Sequence, residues 1–313
     1  MNIRKIHRGF VTSWVPLLIA LVIFIALRVV WMGENKSLEL WGSTVIQIGI
    51  AMFLWFFTQK YVIIREKTLL ATGFYLLLVG TNPLFFYSLR GSIAAFLFLF
   101  CLWILFDTYQ KPWSQRNALN ISLALTLGSF YWVPLLLFFP LVWYGMYKLK
   151  SLNVRTFFAS LMGVGAVCLF LFAWSVYKND WAVFIQMLPD LSALWEFRFP
   201  LSMDLKDVIT NILLGILFIL SVTKIFMASV PEKVQTRAFL GYLTALAVAF
   251  SILFLVQNQW GQEWLLILYV SLSLLFAHYF TLSQNLYALW LFLLVIVFFL
   301  LRFVGEWFPG IVI

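Results

Sequence analysis

Residues 10–32 read FVTSWVPLLIALVIFIALRVVWM. This run exceeds the roughly 20 apolar residues that an α-helix needs to cross a hydrocarbon core about 30 Å thick. It is too long for the apolar region of a cleavable signal, and no small-residue cleavage site follows it. It is therefore expected to stay in the chain as a first transmembrane helix. Arg4, Lys5 and Arg8 precede it, which places the N-terminus in the cytoplasm, because basic residues are retained on that side.

Ten more apolar runs follow, at 42–59, 68–82, 86–106, 117–130, 132–147, 155–177, 208–228, 236–256, 263–281 and 285–305. The fold class predicted is all-α: a polytopic transmembrane bundle of about eleven helices, one domain over residues 1–313, with the C-terminus outside. Runs 117–130 and 132–147 can be read as two short helices broken at Gly128-Ser129 or as one long kinked segment. Two crossings return the chain to its starting side, so that Lys111 and Arg116 share a side with Lys148, Lys150 and Arg155; two helices are expected for that reason. Alternation then puts 14 of the 21 basic residues on the cytoplasmic side with only Glu66, Asp107 and Glu232. The other side holds seven basic and nine acidic residues.

Composition agrees. The chain is 64% hydrophobic and 11% charged, whereas soluble domains carry about 25% charged residues. The net charge of +9 gathers on one side of the membrane, so it reads as a topology signal and a partner for anionic lipid head groups, not as a nucleic-acid surface. Cys101 and Cys168 lie inside apolar runs without metal-ligand or redox spacing and read as small buried hydrophobes. His7 and His278 are far apart in sequence. Neither a metal nor a cofactor is expected.

Most connections are short. The exception is an outer loop at 177–207, YKNDWAVFIQMLPDLSALWEFRFPLSMDLKD, expected to lie at the membrane surface with an amphipathic helix between Trp181 and Leu188. Loops of this length often carry function.

Charged groups within spans are costly and need a reason. Arg28, Arg90 and Arg302 all fall near the outer ends of their runs. One reading is that each snorkels to lipid phosphate or pairs with an acid, as Arg302 could with Glu306 four residues on. The other is an outer basic pocket that grips a phosphate through the planar guanidinium fork. Outer carboxylates that could serve as a general base are Glu34, Glu39, Glu196 and Glu263. Tyr131-Trp132 and Gln257-Asn258-Gln259-Trp260 offer sugar-stacking or interface groups. Ion-coupled transport would call for acids or histidine at mid-helix. Gln47 and Asn211 lie nearer span ends, and no acid lies near a span centre.

Residues 80–106, GTNPLFFYSLRGSIAAFLFLFCLWILF, form an apolar hairpin with an Asn-Pro turn and an arginine opening the second helix. This resembles the third and fourth helices of GT-C-type glycosyltransferases, polytopic enzymes that use polyprenyl-phosphate sugars. The segment ALNISLALTLGSFYWVPLLLFFPLVWYGMYK that follows is similar to their next, short helix pair. The likeness covers roughly residues 10–180, and the layout also resembles that of small bacterial polytopic membrane proteins. It implies a multi-pass protein of the bacterial inner membrane acting on a polyprenyl-phosphate-linked sugar at the outer face. Glu34 or Glu39 would then be the catalytic base. Arg28, Arg90 and Arg302, with Asn82, Glu196 and Arg198, would bind substrate. GT-C enzymes usually carry an aspartate and a neighbouring acid in the first outer loop; here that loop has Glu34 and Glu39 and no aspartate. This departure keeps open a non-enzymatic transporter, or a subunit of a membrane assembly complex with a protein partner.

Overall fold

A computed structural model of the chain describes residues 13–34, 38–64, 68–179, 181, 191–196, 205–227, 233–283 and 286–307. The α-helices with described bounds are α1 (Val15–Glu34), α2 (Leu38–Tyr61), α3 (Leu70–Gly80), α4 (Leu89–Phe106), α5 (Gln115–Ser129), α6 (Phe138–Lys148), α7 (Val154–Lys178), α8 (Leu205–Met227), α9 (Val234–Val256), α10 (Gly261–Leu282) and α11 (Leu286–Trp307). Each falls on one of the apolar runs. Short 3-10 turns at Pro83–Phe86, Val133–Leu137 and Asn258–Trp260 join α3 to α4, α5 to α6 and α9 to α10. Gln115–Ser129 and Phe138–Lys148 are thus separate helices, divided by a turn that carries Pro134, which lacks the N–H a continuous helix would use. Of the amphipathic helix expected between Trp181 and Leu188, residues 182–188 lie outside the described residues.

Among the described residues, six helices are long and apolar enough to cross a membrane: α2, α4, α7, α8, α9 and α10. The apolar stretches of α1, α3, α6 and α11 are shorter. This is the architecture of an integral, multi-pass membrane protein.

The bundle is organised around α10, which packs against α3, α4, α8, α9 and α11. In its apolar window 78% of residues are buried, against 22% for α7. So α10 is the axis and α7 a rim helix held mainly by α5. Association of helices in lipid gains little from the hydrophobic effect and depends on fit. Gly80 lets α3 approach α1 closely: a Cβ there would stand 3.0 Å from the Phe24 Cα. Gly163 does the same for α7 over Ser122 of α5. Aromatic rings fill the wider gaps, as where Phe106 of α4 stacks on Phe239 of α9 at 4.1 Å.

Contacts between connections gather at two opposite ends. At one, Lys60 in the last turn of α2 pairs with Asp107 after α4 at 2.8 Å, and Thr108 meets Ser151 at 2.9 Å. At the other, Arg302 near the end of α11 reaches the end of α3 and the start of α8. There too Gln257 Nε2, at the end of α9, donates to the Leu194 carbonyl at 2.8 Å.

One helix departs from the pattern in a way that matters. All of Leu70–Gly80 is buried, yet these residues give α3 a length of only about 17 Å. It reaches roughly half the thickness of a bilayer core. Its C-terminal carbonyls and the following Thr81-Asn82 turn are buried among the ends of α8, α9 and α11. Such backbone is tolerated at depth only where protein covers it or a polar cavity receives it.

Candidate functional site

The polar cavity is there. A pocket of about 330 Å³ lies over the end of α3, walled by α8, α9, α10 and α11. Asn82, Leu84 and Phe85 come from the α3–α4 turn, and Asp207, Thr210 and Asn211 from the first turns of α8. Phe254 and Asn258 come from the end of α9 and its turn; Gly261, Gln262, Leu265 and Tyr269 from successive turns of α10; Arg302 from α11. The chain builds it from helix ends because only there do polar residues sit beside unspent backbone groups. Asn82 shows how: its Oδ1 accepts from the Leu84 N–H at 3.1 Å and caps the 3-10 turn, which leaves its amide N–H groups to the pocket.

Arg302 braces three elements. Its Nε donates to the Thr81 carbonyl at 3.2 Å, at the negative end of the α3 dipole. Its Nη1 donates to Thr210 Oγ1 and, at 3.5 Å, to the Lys206 carbonyl. Its Nη2 pairs with Asp207 Oδ1 at 2.7 Å. The Arg302 side chain is 6% exposed and that of Asp207 27%. The guanidinium is thus both neutralised and hydrogen-bonded, and its partner in the structure is Asp207, 95 residues away. The Glu306 side chain, suggested by the sequence, lies outside the described residues.

Arg28 is elsewhere and differently held. It is 2% exposed, not snorkelling. Its Nη1 donates to Ser43 at 3.3 Å and to Thr44, and its Nη2 to Gln47 Oε1. The guanidinium carbon stands 4.1 Å from the Phe86 ring centre and 5.0 Å from that of Phe24. Gln47 Nε2 passes the network on to the Phe85 carbonyl at 3.0 Å and Ser92 Oγ at 2.9 Å. Among the described residues no carboxylate touches Arg28. Hydroxyls, an amide and ring faces solvate the charge, and they lock α1 and α2 to the α3–α4 turn.

The remaining candidates scatter. Arg90 is exposed on the first turn of α4, within electrostatic reach of Glu263, and neither lines the pocket. Glu39 is exposed in the first turn of α2. Glu34 ends α1, with its side chain outside the described residues, and Arg198 lies outside them too. Glu196 is exposed at the end of segment 191–196, which Gln257 and Gln259 tie to the α9–α10 turn by 2.8 Å bonds to the Leu194 and Ala193 carbonyls. Of the residues singled out from sequence, the pocket brings together Asn82 and Arg302, with Asn211, named as a polar group near a span end, and Asn258, named among the sugar-stacking or interface groups. It adds Asp207, Thr210 and Gln262, which the sequence did not mark out. Chemically it offers amides, one carboxylate already paired, and aromatic faces at Phe85, Phe254 and Tyr269. Among the described residues no group of three or more His, Cys, Asp or Glu could hold a metal ion. No family model, curated protein or solved structure matches the chain.

Proposed function

We propose that this chain is an inner-membrane protein of eleven crossings that holds an uncharged, hydroxyl-rich head group in the pocket under Arg302, at the outer face. A sugar carried on a polyprenyl phosphate is the ligand this reading favours. One observation carries it: the pocket is lined by four amide side chains beside aromatic rings, while its one cation is neutralised by Asp207. Amides both donate and accept, which suits hydroxyls, and ring faces suit the C–H face of a sugar. A spent guanidinium has little left for a phosphate. About 330 Å³ is near the small end of ligand pockets and fits one sugar ring. The pocket holds no unpaired carboxylate to act as base, so binding or presentation of the sugar is favoured over transfer. The GT-C likeness is then one of layout. Eleven crossings are supported by the two sets of end contacts, because each joins connections that strict alternation puts on the same side.

The test is thermal unfolding of the purified chain in a zwitterionic detergent, titrated with octyl glycosides and, separately, with octyl phosphate. A glycoside should raise the midpoint, and Gln262→Ala and Asn258→Ala should abolish the rise. Octyl phosphate should leave it unchanged. Stabilisation by octyl phosphate, or by no member of a hexoside panel, would overturn the proposal.

A further inference from the structure

At the end opposite the pocket, two connections are knitted into a single body. The Gln110 N–H donates to the Leu149 carbonyl at 3.0 Å. Thr108 and Ser151 hydroxyls meet at 2.9 Å. Asn153 Nδ2 donates to the Pro112 carbonyl at 2.6 Å while its Oδ1 caps α7 in a reciprocal pair with Thr156. Both tight turns use a left-handed residue, Gln110 at φ 55° and Lys150 at φ 57°. The result is a platform whose cations are held at fixed places by ordered backbone, not strewn along a tether.

Lys111, Arg116, Lys148, Lys150 and Arg155 are all exposed on this platform. Among the described residues at this end the carboxylate is Asp107, and Lys60 holds it at 2.8 Å. None of the five cations is therefore matched by a described acid. Trp113 is 73% exposed and Tyr147 70%, and the Arg155 guanidinium lies 5.2 Å from the Trp113 ring centre. Amphipathic rings of this kind settle at the level of lipid head groups, which puts the cations at the depth of lipid phosphates.

We infer that this platform is a binding site for anionic phospholipid, which seats phosphate groups among Lys111, Lys148 and Lys150 and sets Trp113 and Tyr147 at the head-group boundary. The occupant follows from charge complementarity combined with the rings: a soluble anion would satisfy the lysines but leave the two aromatics in water. The inference does not depend on what the outer pocket holds.

The test is binding of phosphatidylglycerol and phosphatidylcholine to the full chain in neutral detergent at low salt. The wild type should bind phosphatidylglycerol at least about 100-fold more tightly than phosphatidylcholine. Each basic residue near an anionic head group is worth about 1 kcal/mol, so the combined Lys111→Gln, Lys148→Gln and Lys150→Gln variant should bind it about 100-fold more weakly. Its affinity for phosphatidylcholine should not change, and Lys178→Gln at the other end should behave as wild type. The preference should also shrink as salt is added. Equal affinity for the two lipids, a preference that survives the triple substitution, or equal competition by inorganic phosphate would overturn the inference.

Discussion

Replacing Arg302 by methionine separates a cation that ties helices together from one that merely sits in the protein. The change keeps much of the side chain's length and apolar stem and removes every donor. Four acceptors then lose this partner: the Thr81 and Lys206 carbonyls, Thr210 Oγ1 and Asp207. Thr210 still donates to the Lys206 carbonyl at 2.7 Å, so its loss is small. The Thr81 carbonyl is left among packed helices, at a cost of about 1–2 kcal/mol. Asp207 loses its countercharge. A fully buried pair broken in this way costs about 3–5 kcal/mol and a surface pair less than about 1 kcal/mol. With Asp207 27% exposed and in the first turn of α8, where the helix dipole favours an anion, about 1–2 kcal/mol is appropriate. The total expected is about 3 kcal/mol. Asp207→Asn keeps an acceptor oxygen and should cost about 1 kcal/mol. In the double variant the two losses should overlap by about 1 kcal/mol, since the shared ion pair is counted once. Reversible unfolding in mixed micelles gives all three values. If Arg302→Met costs less than about 0.5 kcal/mol, or the cycle shows no coupling, Arg302 is not the brace between α3, α8 and α11.

Arg28→Met should behave differently, because no described acid is left stranded: the Ser43 and Thr44 hydroxyls keep their bonds to the Phe86 and Leu40 carbonyls, and Gln47 Oε1 loses its donor, so the cost should be about 1 kcal/mol in the same assay. A cost equal to that of Arg302→Met would mean an anion balances Arg28. Val62 adopts φ 47° and is 50% exposed; Val62→Gly should therefore raise unfolding free energy by about 1 kcal/mol through relief of left-handed strain, and a loss would refute that strain. A Cβ at Gly163 would collide with Ser122 Oγ and come within 3.0 Å of the Leu119 carbonyl. Gly163→Ala should then cost about 1–3 kcal/mol, with part recovered by adding Ser122→Gly, as read from the same unfolding curves.

The helices were legible because hydrocarbon thickness imposes run length, and every apolar run carries one. Even the division of 117–147 into two helices could be anticipated, since one crossing would have put Lys148, Lys150 and Arg155 on the wrong side. The place of α3 could not. Run 68–82 is visibly short in sequence, but only the burial of every residue of Leu70–Gly80 shows that protein surrounds it on all sides. Arg28 and Arg302 were likewise indistinguishable, each an arginine near the end of an apolar run. What separates them is their partners. Those of Arg28 lie 15–19 residues away, on Ser43, Thr44 and Gln47, whose spacing gives one polar face of α2 and was open to reading. Those of Arg302 are 92–221 residues away, set by how α3, α8 and α11 meet. Asp207 was hidden because it falls at the seam of a long loop and a helix, where an acid usually does no more than face water.

Both proposals rest on one polarity: the pocket under Arg302 opens to the face opposite the platform of Lys111, Lys148 and Lys150. The direct measurement is labelling of single cysteines in intact cells with a membrane-impermeant maleimide, in a chain carrying Cys168→Ala and with Cys101 buried. Gln262→Cys, at the exposed mouth of the pocket, is expected to label before lysis, and Lys150→Cys only after it. Labelling of both from the same side, or of Lys150→Cys alone in intact cells, would contradict the polarity and both proposals with it.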